Sequence, residues 1–177
     1  MVNRLFQELP VLDLATNRWH NIATKEDPRA PESGYPNPRR CHGCVQLPPE
    51  GSAGPHVIIS GGYDGTKIYD EVWRLDLSNM QWTLLSLCPL PYPVFFHSAA
   101  LCPSGRMYTF GGIVDDGQNT LSSRTSDVHA SWMCIPRLAE ICWEAVLFYN
   151  PELHRHSPQS LLHAGLPLEF VRRIDYT

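Results

Sequence analysis

The 177-residue chain is 43% hydrophobic and 18% charged with a formal net charge of −4, which supports a globular core and excludes the basic stripe that nucleic acid demands. Residues 1–14 hold no apolar h-region, and no stretch approaches the ~18 consecutive apolar residues of a membrane span. The chain reads as soluble and intracellular, and its six scattered cysteines suit small buried hydrophobes in a reducing compartment.

In chain order, the first feature is internal repetition. Leu12-Asp-Leu-Ala-Thr-Asn-Arg-Trp19 returns as Leu75-Asp-Leu-Ser-Asn-Met-Gln-Trp82 with identical spacing from Leu to Trp. His56-Val-Ile-Ile-Ser-Gly61-Gly62 answers to Arg106-Met-Tyr-Thr-Phe-Gly111-Gly112, an apolar run ending in a diglycine. A third phrase precedes each diglycine, Arg40-Cys-His42-Gly-Cys-Val and Phe96-His97-Ser-Ala-Ala-Leu. The offsets differ between phrases, as they do when loops vary and strands do not.

Each phrase has a mechanical meaning. Apolar runs bounded by Gly, Pro, Asn and Asp predict strands. A diglycine ends an inner strand where backbones crowd. Leu-Asp-Leu, a polar turn and Trp predict a hairpin whose Trp packs between sheets. The resulting order is one blade of a four-stranded β-propeller. After Gly112 comes a polar loop from Asp115 to Thr120, and then Thr125–Met133, which loses Leu-Asp-Leu. The fold expected for 1–133 is mainly β, about two blades plus a half of an incomplete propeller, since a ring closes with about four to eight blades. The chain is therefore expected to be the C-terminal part of a longer propeller, marginally stable alone, with exposed blade faces and edges.

Residues 134–177 change character. Leu138, Cys142 and Val146 form one apolar column along a helix predicted over 136–149, widened by Ile141, Ala145 and Phe148, with Arg137, Glu140 and Glu144 on the wet side. Pro136 suits the first turn, and Asn150-Pro151 stops propagation. A second helix is opened by Ser157-Pro158 and closed by Gly165. A third begins at Leu166-Pro167 and carries Phe170 and Ile174 on one face. Three such short helices are not expected to bury their own apolar faces, so the module should pack on the preceding domain, on a partner, or on both.

These phrases resemble known families. The repeats are similar to kelch repeats over about residues 5–133. Leu138-Ala-Glu-Ile-Cys142-Trp-Glu-Ala-Val146 resembles the elongin-binding BC-box, with Arg137 where a small or hydroxyl residue usually stands. Leu166-Pro167-Leu-Glu-Phe170-Val-Arg-Arg-Ile174 resembles the cullin-2 box. The combination resembles the kelch-domain substrate receptors of cullin-2 RING ubiquitin ligases. That resemblance implies a non-catalytic adaptor of cytoplasm and nucleus, its propeller holding protein substrates by glycine-ended C-terminal tails, its helices binding elongin C, with elongin B, and cullin-2 with its RING subunit. The alternative is a kelch scaffold that binds a signalling enzyme or cytoskeletal protein without ubiquitin.

In kelch propellers the pocket is lined by loops at one end of the ring, and the resemblance puts Arg40, Tyr63, Phe96 and Ile113 there. Arg40 suits a terminal carboxylate through paired hydrogen bonds and Tyr63 an amphipathic wall, unless Arg39-Arg40 merely solvates a loop. No cofactor is expected. Cys41-x-x-Cys44 with His42 has a zinc-like look, but no second pair stands at ligand spacing. His154 and His156 read as solvated, and Asp64 and Asp115-Asp116 belong to polar turns without a cleft.

Overall fold

The computed structural model describes residues 6–30, 33–49, 54–115 and 123–174. The chain divides into two compact units, Met1–Cys134 and Ile135–Thr177. Beyond Asp115, the polar loop expected before Thr125 lies outside the described residues, as does Asp116.

The first unit is a row of three antiparallel sheets. Strands β1 (Glu8–Asp13) and β2 (Arg18–Ala23) form a hairpin. Strands β3 (Gly43–Leu47), β4 (His56–Ser60), β5 (Val72–Asp76) and β6 (Gln81–Leu84) form a complete four-stranded blade in sequence order. In the third sheet β7 (Val94–Phe95) and β8 (Ser98–Leu101) both pair with β9 (Arg106–Val114), which pairs with β10 (Ser123–Trp132). This is the partial propeller that the repeats predict.

Repetition extends to the backbone. Asn17 and Met80 occupy equivalent places in the two Leu-Asp-Leu hairpins, and both have positive φ, 54° and 58°. The aspartate explains the turn: Asp13 accepts the Ala15 N–H at 2.8 Å and Asp76 accepts the Ser78 N–H at 2.8 Å, each closing an Asx turn. The closing tryptophans diverge. Trp82 is 2% exposed, packed edge-on against Trp73 and donating its indole N–H to the Phe6 carbonyl at 3.1 Å, whereas Trp19 is 68% exposed.

The diglycine joins one blade to the next. Gly62 donates its N–H to the Val94 carbonyl at 2.9 Å, and Val94 donates to the Tyr69 carbonyl at 3.1 Å. Gly61 has φ +59°, and a Cβ there would sit 2.4 Å from the Val94 carbonyl oxygen, so glycine is required on both counts. Around this seam Val45, Ile58 and Val72 of the second sheet pack with Leu90, Val94, Met107 and Met133. The opposite face of the same sheet buries Ile59, Trp73, Leu75 and Trp82 against Phe6 and Leu9. Its outer edge is covered rather than bare: Lys25 donates to the Met80 carbonyl at 2.7 Å, Trp82 donates to the Lys25 carbonyl at 3.0 Å, and Leu84 donates to the Asp27 carboxylate at 2.9 Å. That strap removes one of the free edges the sequence leads one to expect.

The second unit consists of α1 (Leu138–Tyr149), a 3-10 turn at Leu153–Arg155, α2 (Pro158–His163) and α3 (Leu168–Val171). Helix α1 starts at Leu138 rather than 136, because Arg137 is its extended N-cap. Ser157 caps α2 by accepting the Ser160 N–H at 3.2 Å, and Gly165 at φ +89° ends that segment. The helices do bury apolar surface among themselves: Trp143, Leu153, Leu161, Phe170, Val171 and Ile174 form one core, with Trp143 stacked on Phe170 at 5.1 Å. The expectation that so short a module has no core of its own is thereby corrected, and the indole of Trp143 supplies the missing volume.

Two histidines stand at the blade seam, His97 buried and His42 half-buried. His97 Nε2 lies 2.9 Å from Ser60 Oγ, while the buried Nδ1 atoms of His97 and His42 find no hydrogen-bond partner among the described residues. Burial lowers both pKa values from the ordinary 6.5, reinforced at His97 by the charge of His42 and at His42 by Arg39. Below about pH 6.5 the unfolded chain binds the extra protons first, so the contribution is intact above that pH and is lost as pH falls toward the folded values. The urea midpoint is expected to drop between about pH 7.5 and pH 5.5, and His97→Asn to narrow the difference. Equal midpoints at both pH values for the native chain would contradict the burial of these rings.

Candidate protein-binding surfaces

Just past the first diglycine the chain makes a small aromatic platform. Arg40 and Tyr63 form an antiparallel bridge, Arg40 N–H to Tyr63 carbonyl at 2.9 Å and the reverse at 3.0 Å. Tyr63 stacks on Phe95 at 5.0 Å, Phe95 lies 5.3 Å from Phe96, and Phe95 pairs in register with Ile113. The four residues assigned by resemblance are thus brought together, and the residue that joins them, Phe95, was not among them. The register follows the repeat. Arg40 corresponds to Phe95, each paired with the residue after a diglycine, and Cys41 corresponds to Phe96, both at φ 57°.

The platform carries one exposed cation. The Arg40 guanidinium lies 5.7 Å from the Tyr63 ring centroid, at the outer limit of a cation–π contact, and leaves its hydrogen-bonding edge free for an anion. The tyrosine is held by its own loop, its hydroxyl donating to the Gly65 carbonyl at 2.5 Å. Asp64 closes that loop. Burial opposes its ionisation, yet the Lys67 and Thr66 N–H groups and the Tyr69 hydroxyl hold its carboxyl well below the usual carboxylate range. Burial, with Asp64 next, pushes the Tyr69 phenol up to about 12.

Arg39 does not solvate a loop. Its side chain is fully buried, paired with Glu71 at 2.6 Å, donating to the Gly61 carbonyl at 3.2 Å and to the Asn37 carbonyl at 3.0 Å, with its guanidinium 3.9 Å from the Tyr69 ring centroid. Glu71 also accepts the Trp73 indole N–H at 3.0 Å. Neighbouring arginines thus divide the labour, one bracing the diglycine from below and the other displayed above it.

The second surface lies on α1. Leu138 is 74% exposed and Phe148 79% exposed, and Ile141, Cys142, Ala145 and Tyr149 are exposed with them. At a helical step of about 100° these six fall on one continuous arc. Val146 sits at its border, half-buried against the unit's core. The far side is fixed in place. Trp143 fills the core, and Glu140, expected on the wet side, accepts a two-pronged bond from Arg173 at 2.7 and 2.9 Å. That pairing lowers the Glu140 pKa and raises that of Arg173.

The residues assigned to cullin binding divide. Phe170 and Ile174 are buried and Leu166 is half-buried, all in the unit's own core, while Pro167 is exposed as the N-cap of α3 beside the exposed Leu168. No group of three or more His, Cys, Asp or Glu side chains arranged to hold a metal occurs among the described residues. No described helix is long and apolar enough to cross a membrane.

No protein-family model matches the chain. Curated relatives do. The chain is 39% identical over 168 residues to Kelch domain-containing protein 10 of Xenopus tropicalis, which spans 95% of this chain and 38% of that protein. It is 40% identical over 162 residues to Kelch domain-containing protein 10 of Rattus norvegicus, 92% of this chain and 36% of that protein. To the Kelch domain-containing protein 10 homolog of Drosophila melanogaster it is 36% identical over 178 residues, 95% of this chain and 28% of that protein. The repeats are kelch repeats. The chain spans about a third of the length of the kelch proteins it matches.

Because Arg39 is buried and both the half-buried Glu71 carboxylate and the Gly61 carbonyl depend on it, Arg39→Met is expected to cost about 2 kcal/mol, the scale for leaving buried hydrogen-bonding groups without a partner. Arg40→Met, one residue on, is expected to stay within about 0.5 kcal/mol of the native value. Urea unfolding followed by tryptophan fluorescence measures both.

Proposed function

We propose that this kelch protein is a substrate-recognition adaptor of a cullin-2 RING ubiquitin ligase. The single observation that carries the reading is the apolar arc of α1, open to solvent on one side and pinned by Trp143 and the Glu140–Arg173 pair on the other. A soluble helix seldom displays so large an apolar surface unless a partner covers it. In this reading Leu138 and Cys142 enter a groove of elongin C, with Val146 at the margin and elongin B behind it. The exposed Pro167 meets cullin-2, while Leu166, Phe170 and Ile174 shape that contact from within the core.

The kelch sheets take the protein substrate. The Tyr63–Phe95–Phe96 platform with Ile113 offers apolar and aromatic contact, and Arg40 suits the terminal carboxylate of a tail ending in glycine, whose missing side chain lets the backbone come close. The chain supplies no catalytic group. Tethering raises the substrate's local concentration at the ligase, and the work belongs in cytoplasm and nucleus.

The double variant Leu138→Ser, Cys142→Ser is expected to abolish co-purification of elongins B and C. Both side chains are exposed, so the far-ultraviolet circular dichroism should not change. Elongin recovery equal to that of the native chain would reject the adaptor reading in favour of a scaffold that works without ubiquitin. Pro167→Ala is expected to reduce cullin-2 recovery and leave elongin recovery intact; loss of both together would place the two contacts on one surface.

A further inference from the structure

The repeats let the surroundings of the two diglycines be compared position by position. Ile59 pairs with Trp73 in the complete blade and Thr109 with His129 in the third sheet, and Ile59 and Thr109 each stand two residues before a diglycine. By the same count Glu71 corresponds to Asp127, Arg39 to Val94 and His42 to His97. Thr109 is buried, and Met107, two residues back on the same face, joins the core that the complete blade and the third sheet share. His97 meets Ser60 of the complete blade on the same side. This set of residues therefore sits between two sheets of the chain and not at an end of the row.

The equivalent side chains differ in size and polarity. In the complete blade the buried Arg39 guanidinium donates to the Gly61 carbonyl at 3.2 Å and to Glu71 at 2.6 Å, and the Trp73 indole donates to the same carboxylate at 3.0 Å. In the third sheet Val94 has no polar end to offer, and the His129 ring is smaller than an indole. Asp127 accepts the Tyr92 hydroxyl at 2.8 Å instead, and His129 Nε2 lies 2.9 Å from that hydroxyl. Tyr92, Val94, His97, Thr109, Gly111 and His129 line a pocket with room for about one water molecule. His97 is only 7% exposed, and its Nδ1 finds no hydrogen-bond partner among the described residues. Buried polar atoms are seldom left unpaired, and ordered water serves where no protein group reaches.

We propose that one water molecule is a fixed part of this seam, bonded to His97 Nδ1 and to the Gly111 carbonyl in the place that the Arg39 guanidinium takes beside Gly61. Water suits either tautomer of the ring: it accepts from a protonated Nδ1 or donates to a bare one, and in both cases a proton remains for the carbonyl. The third sheet thereby docks on the complete blade without an arginine. The platform and helix α1 have no part in this.

A crystal structure of the chain at a resolution that shows solvent tests the proposal. A single density peak is expected within about 3.2 Å of both His97 Nδ1 and the Gly111 oxygen. A pocket without that peak overturns the proposal, and so does a peak whose short contacts identify a metal ion. Oxygen-17 relaxation dispersion counts long-lived internal waters in solution and supplies the second measurement. His129→Trp restores the residue that the complete blade carries at this position and is expected to lose one such water per chain, with circular dichroism unchanged. His97→Phe, which keeps a ring and removes the nitrogen, is expected to lose the same one. A folded variant of either kind that retains the full count overturns the proposal, and the crystallographic peak decides it if neither variant folds. Elongin recovery is indifferent to all of these outcomes, so this inference and the ligase reading fail separately.

Discussion

The structure depends on the seam at which one kelch sheet docks on the next. A sheet in such a row has its backbone bonds satisfied within itself, so what orders it against its neighbour must come from elsewhere. Here it comes from a backbone exchange made possible by the diglycine: Gly62 to Val94, Val94 to Tyr69, and Leu90 to the Asp70 carbonyl at 2.8 Å. A side chain at Gly61 would push the Val94 segment away, and with it the apolar cluster of Ile58, Val72, Val94 and Met107, while one at Gly62 would meet His42 and the Arg40 carbonyl. The buried Arg39 guanidinium fixes the same turn from the opposite side by holding the Gly61 carbonyl. Glycine and arginine at this seam serve one purpose, which is to let two backbones approach with their polar groups met.

The seam also explains why a surface forms beside it. The residue just beyond each diglycine pairs with an earlier residue of the same blade, so Tyr63 meets Arg40, ahead of β3, and Ile113 meets Phe95 of β7. The docking of the two sheets then stacks Tyr63 on Phe95. The platform is a by-product of blade-to-blade registration, and its chemistry is free to vary because neither Arg40 nor Phe96 is needed for the core.

How much of this was legible follows from what a linear pattern records. Strand order, the diglycines and the Leu-Asp-Leu turns were legible because local backbone chemistry dictates them, down to the shared positive φ of Asn17 and Met80. The part played by Phe95 was not, since its stacking on Tyr63 crosses from one sheet to the next. Arg39 looked like a solvated charge because nothing in its neighbours announces Glu71 and Tyr69, which arrive from beyond the diglycine. Helix existence and the caps Ser157 and Gly165 were readable; the split of α1 into two apolar faces was not, because Leu138 and Trp143 are equally hydrophobic in a list.

That split is a matter of geometry. Leu138 and Trp143 are five residues apart, about 140° around the helix at 100° per residue, which is too far for one groove to take both. The heavier ring goes to the interior, where it stacks on Phe170 and closes a core with Leu153, Leu161 and Ile174. Once that side is spent, and Glu140 is tied to Arg173 at the next position around, helix α1 has no rotation left by which to hide Leu138, Ile141 and Phe148. The interior of the small unit is thus what obliges its exterior to remain apolar, and a docking surface of that kind is as rigid as the core behind it.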